Sequence, residues 1–152
     1  MASPLDEFVA AARRRAPGFG EAYKIKRLGA TAEMSENLLT LILSGEKTGT
    51  FTLPWLHGHH ANWIPETDGL VVYTDFTDRP RALIRQDKPE FVSYADITAA
   101  HTACEGPGAR DLDTWRKIHW PYWTALLAPH GLKPLPDMPV CVERFKLLHP
   151  RA

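Results

Sequence analysis

Apolar positions recur with helical spacing through the first third of the chain, then switch to alternation. Between Pro4 and Arg15, Leu5, Phe8, Val9 and Ala12 fall on one stripe. That spacing predicts a short helix, which Ala16-Pro17-Gly18 stops. Thr31 to Ser44 is the clearest amphipathic segment, with Met34, Leu38, Leu41 and Ile42 at i, i+4, i+7 and i+8. Thr31 suits an N-cap and Glu33 complements the helix dipole in the first turn. Gly45 stands where helices end in a left-handed residue.

From Thr48 the period drops to two. Thr48, Thr50 and Thr52 share one face and Phe51 and Leu53 the other, which predicts a half-buried strand. Gly69 to Phe76 and Arg81 to Asp87 read as further strands around an Asp78-Arg79-Pro80 turn, and Glu90 to Ile97 as a fourth. Asp96 suits the cap of a short helix ending at Glu105-Gly106. Asp111 suits the cap of a longer one carrying Trp115, Ile118, Tyr122 and Leu126, which Pro121 is expected to kink or interrupt. After a proline-rich loop, "GLKPLPDMP", Pro139 to Leu148 closes the chain as a strand. The sum is α+β, with short strands in a curved sheet or small barrel and helices against it.

Composition narrows the partners. A length of 152 residues fits one domain with one core. No apolar run approaches the roughly 20 residues that span a bilayer. The first 20 residues place acids early and Arg13-Arg14-Arg15 late, which is not a signal peptide's order, so a cytoplasmic location is expected. Two cysteines, Cys104 and Cys141, do not make a disulfide framework, and reduced thiols are expected. The 18 basic and 18 acidic residues cancel, which argues against a protein that grips long RNA or duplex DNA through many phosphates. A small ligand, a nucleoside or a short single strand remains compatible.

Three blocks carry more specific information: "SGEKTGT" (Ser44 to Thr50), "ACEGPGARDLDTWRKIHWPYW" (Ala103 to Trp123) and "VCVERFKLL" (Val140 to Leu148). In this order they resemble the ASCH domain, a relative of the PUA domain, and in particular its longer bacterial branch. The similarity runs from about Tyr23 to His149, leaving residues 1–20 as an N-terminal helical extension packed on an ASCH domain at 21–150. The resemblance implies a PUA-like small mixed β-barrel with flanking helices and a cleft at the lysine turn. It implies RNA or a modified nucleoside as partner, with no membrane, no duplex DNA, no metal and no cofactor. Some small ASCH proteins hydrolyse N4-acetylcytidine with a Lys, a Thr and a Glu. By motif those positions fall on Lys47, Thr50 and Glu105. Gly45, Thr48, Thr52, Trp55, Arg116, His119 and Arg144 are the expected substrate-binding positions. Those amidohydrolases carry Arg where this chain has Thr52.

The residue types suit the chemistry. Amide hydrolysis needs a nucleophile, a proton donor for the leaving nitrogen and stabilisation of the oxyanion. A threonine hydroxyl attacks once a base takes its proton, and a lysine is such a base only where its surroundings disfavour the ammonium. A glutamate at position 105 would shuttle the proton to the amine. Lys47 also has a plain reading as a solvated turn lysine. Glu105 also reads as an acid at a helix C-terminus, where it opposes the dipole and asks for a partner; Lys47 would serve. Two other readings stay open: an RNA-binding module without catalysis, and a ribonuclease in which Lys47 and a histidine share the acid–base work. His57 and His59 share a strand face but have no nearby Cys or carboxylate to complete a metal set, so an exposed loop or a cleft wall is expected. Trp55 and Trp63 flank that loop and suit base stacking, whereas Trp115, Trp120 and Trp123 suit packing. An inward Arg144 would need an acid such as Glu105 or Asp75.

Overall fold

The structure is a computed structural model of the chain in which residues 3–15, 22–56 and 69–150 are described. The described residues form helices α1 (Pro4–Arg15), α2 (Ala32–Leu43), α3 (Ala99–Thr102) and α4 (Leu112–Leu127). Their strands are β1 (Tyr23–Arg27), β2 (Gly49–Thr52), β3 (Gly69–Thr74), β4 (Pro80–Gln86), β5 (Glu90–Ser93) and β6 (Pro139–His149). The chain divides into two compact units. Among the described residues one contains 3–15, 22–48, 69–87 and 145–150, and the other 49–56 and 88–144. β6 contributes to both.

In the first unit β1 lies parallel to β3, and β3 lies antiparallel to β4. The last residues of β6 complete the ladder by pairing with β4, with Gln86 opposite Phe145. Side chains alternate across β3. Leu70 and Val72 meet Val9 and Ala12 of α1, while Val71 and Tyr73 meet Leu39 and Ile42 of α2. A strand covered on both faces is apolar throughout, which is why "GLVVYT" shows no alternation. Burying Leu39 and Ile42 stabilises the helix's seat by about 1.5–3 kcal/mol each. Arg81 of β4 reaches Glu36 of α2 through two hydrogen bonds, 2.7 and 2.9 Å long, and fixes the helix against its strand.

Two expectations here are refined. The buried stripe of α2 centres on Ser35, Leu39 and Ile42, one position on from the predicted one, and Met34, Leu38 and Leu41 lie half-buried at its edge. A helical side chain covers the surface over the preceding turn, so apolar spacing alone leaves this offset open. Tyr23–Arg27 is a strand that the pattern did not reveal, because its lysines occupy half-buried positions while Ile25 is exposed.

In the second unit the first part of β6 is the central strand, with β2 and β5 antiparallel on its two sides. Phe51, Leu53, Val140 and Val142 form one wall of a core closed by Trp115, Trp123 and Leu127 of α4. Asp111 caps α4 as expected, accepting from the Thr114 backbone N–H at 3.0 Å. The other cap is a correction. Asp96 closes a one-turn 3-10 helix, Tyr94–Asp96, and α3 is capped by Thr98, whose N–H donates to His101 Nδ1 at 2.9 Å. The strand predicted to reach Ile97 therefore ends at Ser93. α4 runs through Pro121 to Leu127 without a break in its helical assignment.

Candidate functional site

The lysine turn is built by backbone geometry. Ser44 is the C-cap of α2, and Gly45 follows at φ 83°, the left-handed residue that ends the helix. The N–H groups of Glu46 and Lys47 both donate to the Leu41 carbonyl at 3.0 Å, and the Thr48 carbonyl accepts from Phe145 N–H at 2.9 Å. The turn is thus pinned at both ends. Gly45, Glu46 and Thr48 are exposed, yet Lys47 between them is only 3% exposed. The solvated turn lysine is therefore not what forms. β2 begins at Gly49, so Lys47 precedes the strand and escapes its alternation.

The second unit holds the other motif residues. Thr50 and Thr52 of β2 are half-buried and share a face, with Thr50 opposite Glu143 of β6. The Thr52 hydroxyl donates to the Glu143 carboxylate at 3.1 Å, and the Cys141 thiol lies 3.9 Å from the same oxygen. Glu143 is itself 3% exposed. Glu105 lies three residues past the end of α3, its N–H bonded to the Thr102 carbonyl and its own carbonyl accepting from Arg110 Nε at 2.7 Å. These backbone ties hold a buried carboxylate in place. His119 of α4 faces it, with Nε2 3.8 Å from Glu105 Oε2. His119 Nδ1 lies 2.9 Å from the Trp115 carbonyl, and a carbonyl accepts only, so Nδ1 carries a proton. The ring stacks on Trp115 at 4.4 Å and 23°. Nε2 faces the carboxylate at ion-pair distance, longer than a hydrogen bond.

The sequence model for the ASCH domain matches residues 24–149. The chain belongs to the ASCH domain family. A crystal structure of an ASCH domain from Lactobacillus crispatus JV V101 is similar, with a TM-score of 0.80 at 20% identity, covering 97% of this chain and 96% of that one. So is a protein from Enterococcus faecalis V583, with a TM-score of 0.79 at 22% identity over 97% of this chain and 89% of that one. No curated protein matches in sequence. At these identities the likeness shows the fold, which is α+β and PUA-like, as the motif blocks implied.

Within this ASCH domain the remaining candidates go separate ways. Trp55 lies half-buried on a one-turn 3-10 helix, packed against the core of its unit. Arg144 pairs with Glu90 of β5 at 2.9 Å, not with Glu105 or Asp75, because β5 is its neighbour in the sheet. The Arg144 guanidinium holds the Glu90 carboxyl below its ordinary range, with His101 adding to the effect. Arg116 lies on α4 beside Tyr94 and Trp120. Cys104 and Cys141 are buried and not joined in a disulfide. Trp115 and Trp123 are core residues. His57, His59 and Trp63 lie outside the described residues, and among those described no three His, Cys, Asp or Glu side chains form a metal-binding group. Glu143 is the functional candidate that sequence reasoning missed. No local signal marked it, since Arg144 and Lys146 on the same strand make an acid at position 143 look like one more surface charge.

Proposed function

We propose that this ASCH domain binds RNA or a modified nucleoside and hydrolyses an exocyclic amide on it, of the kind N4-acetylcytidine carries. The observation that carries the reading is the buried Glu105–His119 pair, with the second histidine nitrogen tied to the Trp115 carbonyl. A buried carboxylate facing a tautomer-fixed imidazole is costly as packing and useful for moving protons. ASCH domains are associated with nucleic acids, and no described helix is long and apolar enough to cross a membrane.

The roles follow the residue types. Thr50 Oγ1 attacks the acyl carbon as a base takes its proton, the role that the resemblance gives Lys47, and the carbonyl oxygen becomes an oxyanion. Collapse breaks the carbon–nitrogen bond as Glu105, protonated at the start of the cycle, delivers its proton to the departing amine. Water then attacks the threonyl ester, losing a proton to Glu105, and the Thr50 hydroxyl recovers its own from that base. Acid and amine leave, and one water is consumed. His119 positions Glu105. Glu143 orients Thr52, the position that carries Arg in the small amidohydrolases this chain resembles at the lysine turn.

The test is release of cytidine from N4-acetylcytidine by the full chain, followed chromatographically. Wild type should turn over. Lys47→Ala and Lys47→Arg should both fail, because arginine stays protonated and is no base. Glu105→Gln should lose roughly 10²–10⁴-fold. Equal rates in wild type and all three variants would remove the assignment. The same Glu105–His119 pair also suits a ribonuclease. Cleavage of single-stranded RNA, lost in His119→Ala and not accompanied by deacetylation, would select that reading instead.

A further inference from the structure

The second unit carries an open hollow of about 690 Å³ along α4. Tyr94, Arg116, Lys117, Trp120, Pro121 and Pro136 line it, and none of Thr50, Glu105 and His119 does. Its wall is aromatic and apolar. The Tyr94 and Trp120 rings meet at 4.9 Å and 59°, forming a corner. Trp120 packs against the core while remaining half-buried. Arg116 and Trp120 are four residues apart, as are Lys117 and Pro121, so each pair shares a stretch of helix surface. Neither cation forms a salt bridge among the described residues, and no carboxylate lines the hollow. Pro121 has no N–H, so the Lys117 carbonyl lacks the helical donor that position 121 would supply.

These features fit one kind of occupant. An exposed indole face accepts a nucleobase by stacking. Two cations beside it attract a phosphate, and a carbonyl acceptor suits an exocyclic amino group. A proline-rich peptide would also find aromatic and proline surface here, but it brings nothing for two cations that form no salt bridge among the described residues. We propose that this hollow is a binding subsite for one nucleotide of a single-stranded nucleic acid, its base on Trp120 and Tyr94 and its phosphate on Arg116 and Lys117. The subsite is distinct from the residues assigned to amide chemistry, and its occupancy does not depend on that chemistry.

The probe is a 5′-fluorescein single-stranded octaribonucleotide titrated with the full chain by anisotropy, beside a DNA strand of the same sequence. Trp120→Leu should weaken binding roughly 5- to 150-fold, the range for loss of one stacked base. Arg116→Gln/Lys117→Gln, at half-buried and exposed positions, should weaken it and reduce the salt slope by about 0.7 for each phosphate no longer neutralised. Release of cytidine from N4-acetylcytidine is measured separately on the same hollow variants and should stay at the wild-type rate, so failure of the hydrolase reading and failure of the subsite are told apart. Tighter RNA than DNA assigns the subsite to RNA; equal affinities assign it to both. No binding to either strand, affinities of both hollow variants equal to wild type, or binding of a proline-rich decapeptide alone would overturn the proposal. Far-UV circular dichroism confirms that each variant is folded, and the double glutamine variant keeps the test valid if Trp120→Leu is not.

Discussion

A β-carbon built on Gly49 would lie 2.6 Å from Cys104 Sγ, 2.9 Å from Cys104 Cβ and 3.0 Å from the Glu143 carbonyl oxygen. Gly49 is therefore a glycine for space, whereas Gly45, at φ 83° with nothing nearby, is one for backbone conformation. The close approach seats the segment leading to Glu105 against the start of β2. Gly49→Ala should destabilise the protein by about 1–3 kcal/mol through overpacking, read as a lower urea midpoint with unchanged slope. A midpoint equal to wild type would mean that Cys104 is free to move away. At this scale the sequence revealed the turn, because Gly45 after an amphipathic run has one common use. It did not reveal that Lys47 would be buried, since burial depends on distant segments. Glu143 and the Glu105–His119 pair were hidden for the same reason. Which face a strand residue presents, and which residue 14 positions away meets it, are settled by register and not by local pattern.

Between β3 and β4 the chain turns on Asp75. Burial alone would push this carboxyl up, but hydrogen bonds outweigh it and hold the group far below the usual carboxylate range. The Thr77 hydroxyl donates at 2.7 Å, and the Thr77 and Arg79 N–H groups at 2.9 and 3.1 Å, with the Arg79 guanidinium at 3.2 Å. Asp78 takes φ 61° to close the turn and bonds Arg27 of β1. A carboxyl depressed in the folded state contributes stability above its unfolded pKa, about 3.9. That contribution is lost as the pH falls from there toward the lower folded value. Asp75→Asn should thus lower stability by roughly 1–3 kcal/mol at pH 7, with the gap to wild type narrowing below pH ~4. Urea titrations at pH 7 and pH 3 check this, and a gap independent of pH would refute it. The turn itself was legible from Asp78-Arg79-Pro80. So were α1, α2, α4 and five of the six described strands, each with periodicity and punctuation in agreement. β1 was not, because five residues with two lysines carry too little contrast, and it is held by parallel pairing with β3, 46 residues on. The α3 cap went to Thr98 because His101, three residues later, completes a reciprocal pair that Asp96 cannot make.

Across the whole chain, 18 basic residues balance 18 acidic ones, and much of that charge is already engaged between side chains. Arg81 lies on Glu36 and Asp75, Arg27 on Asp78, Arg79 on Asp75 and Arg144 on Glu90. An arginine clamped by a carboxylate must leave it before it can neutralise a phosphate. The cations available to a nucleic acid are thus fewer than composition counts, and Arg116 and Lys117 are among those that form no salt bridge within the described residues. Affinity for a long duplex grows with the number of phosphates neutralised, and so does its salt dependence, at about 0.9 in the logarithmic slope for each B-DNA phosphate. With a local site of two cations the slope should be shallow, at about 2 or less, and duplex binding should be weak at physiological salt. A single strand gains from stacking, which salt does not screen, so its preference over the duplex should widen as salt rises. Parallel anisotropy titrations of a 20-residue single strand and its duplex, from 50 to 300 mM salt, measure both slopes. A duplex bound more tightly than the strand, with a slope of about 5 or more, would refute this.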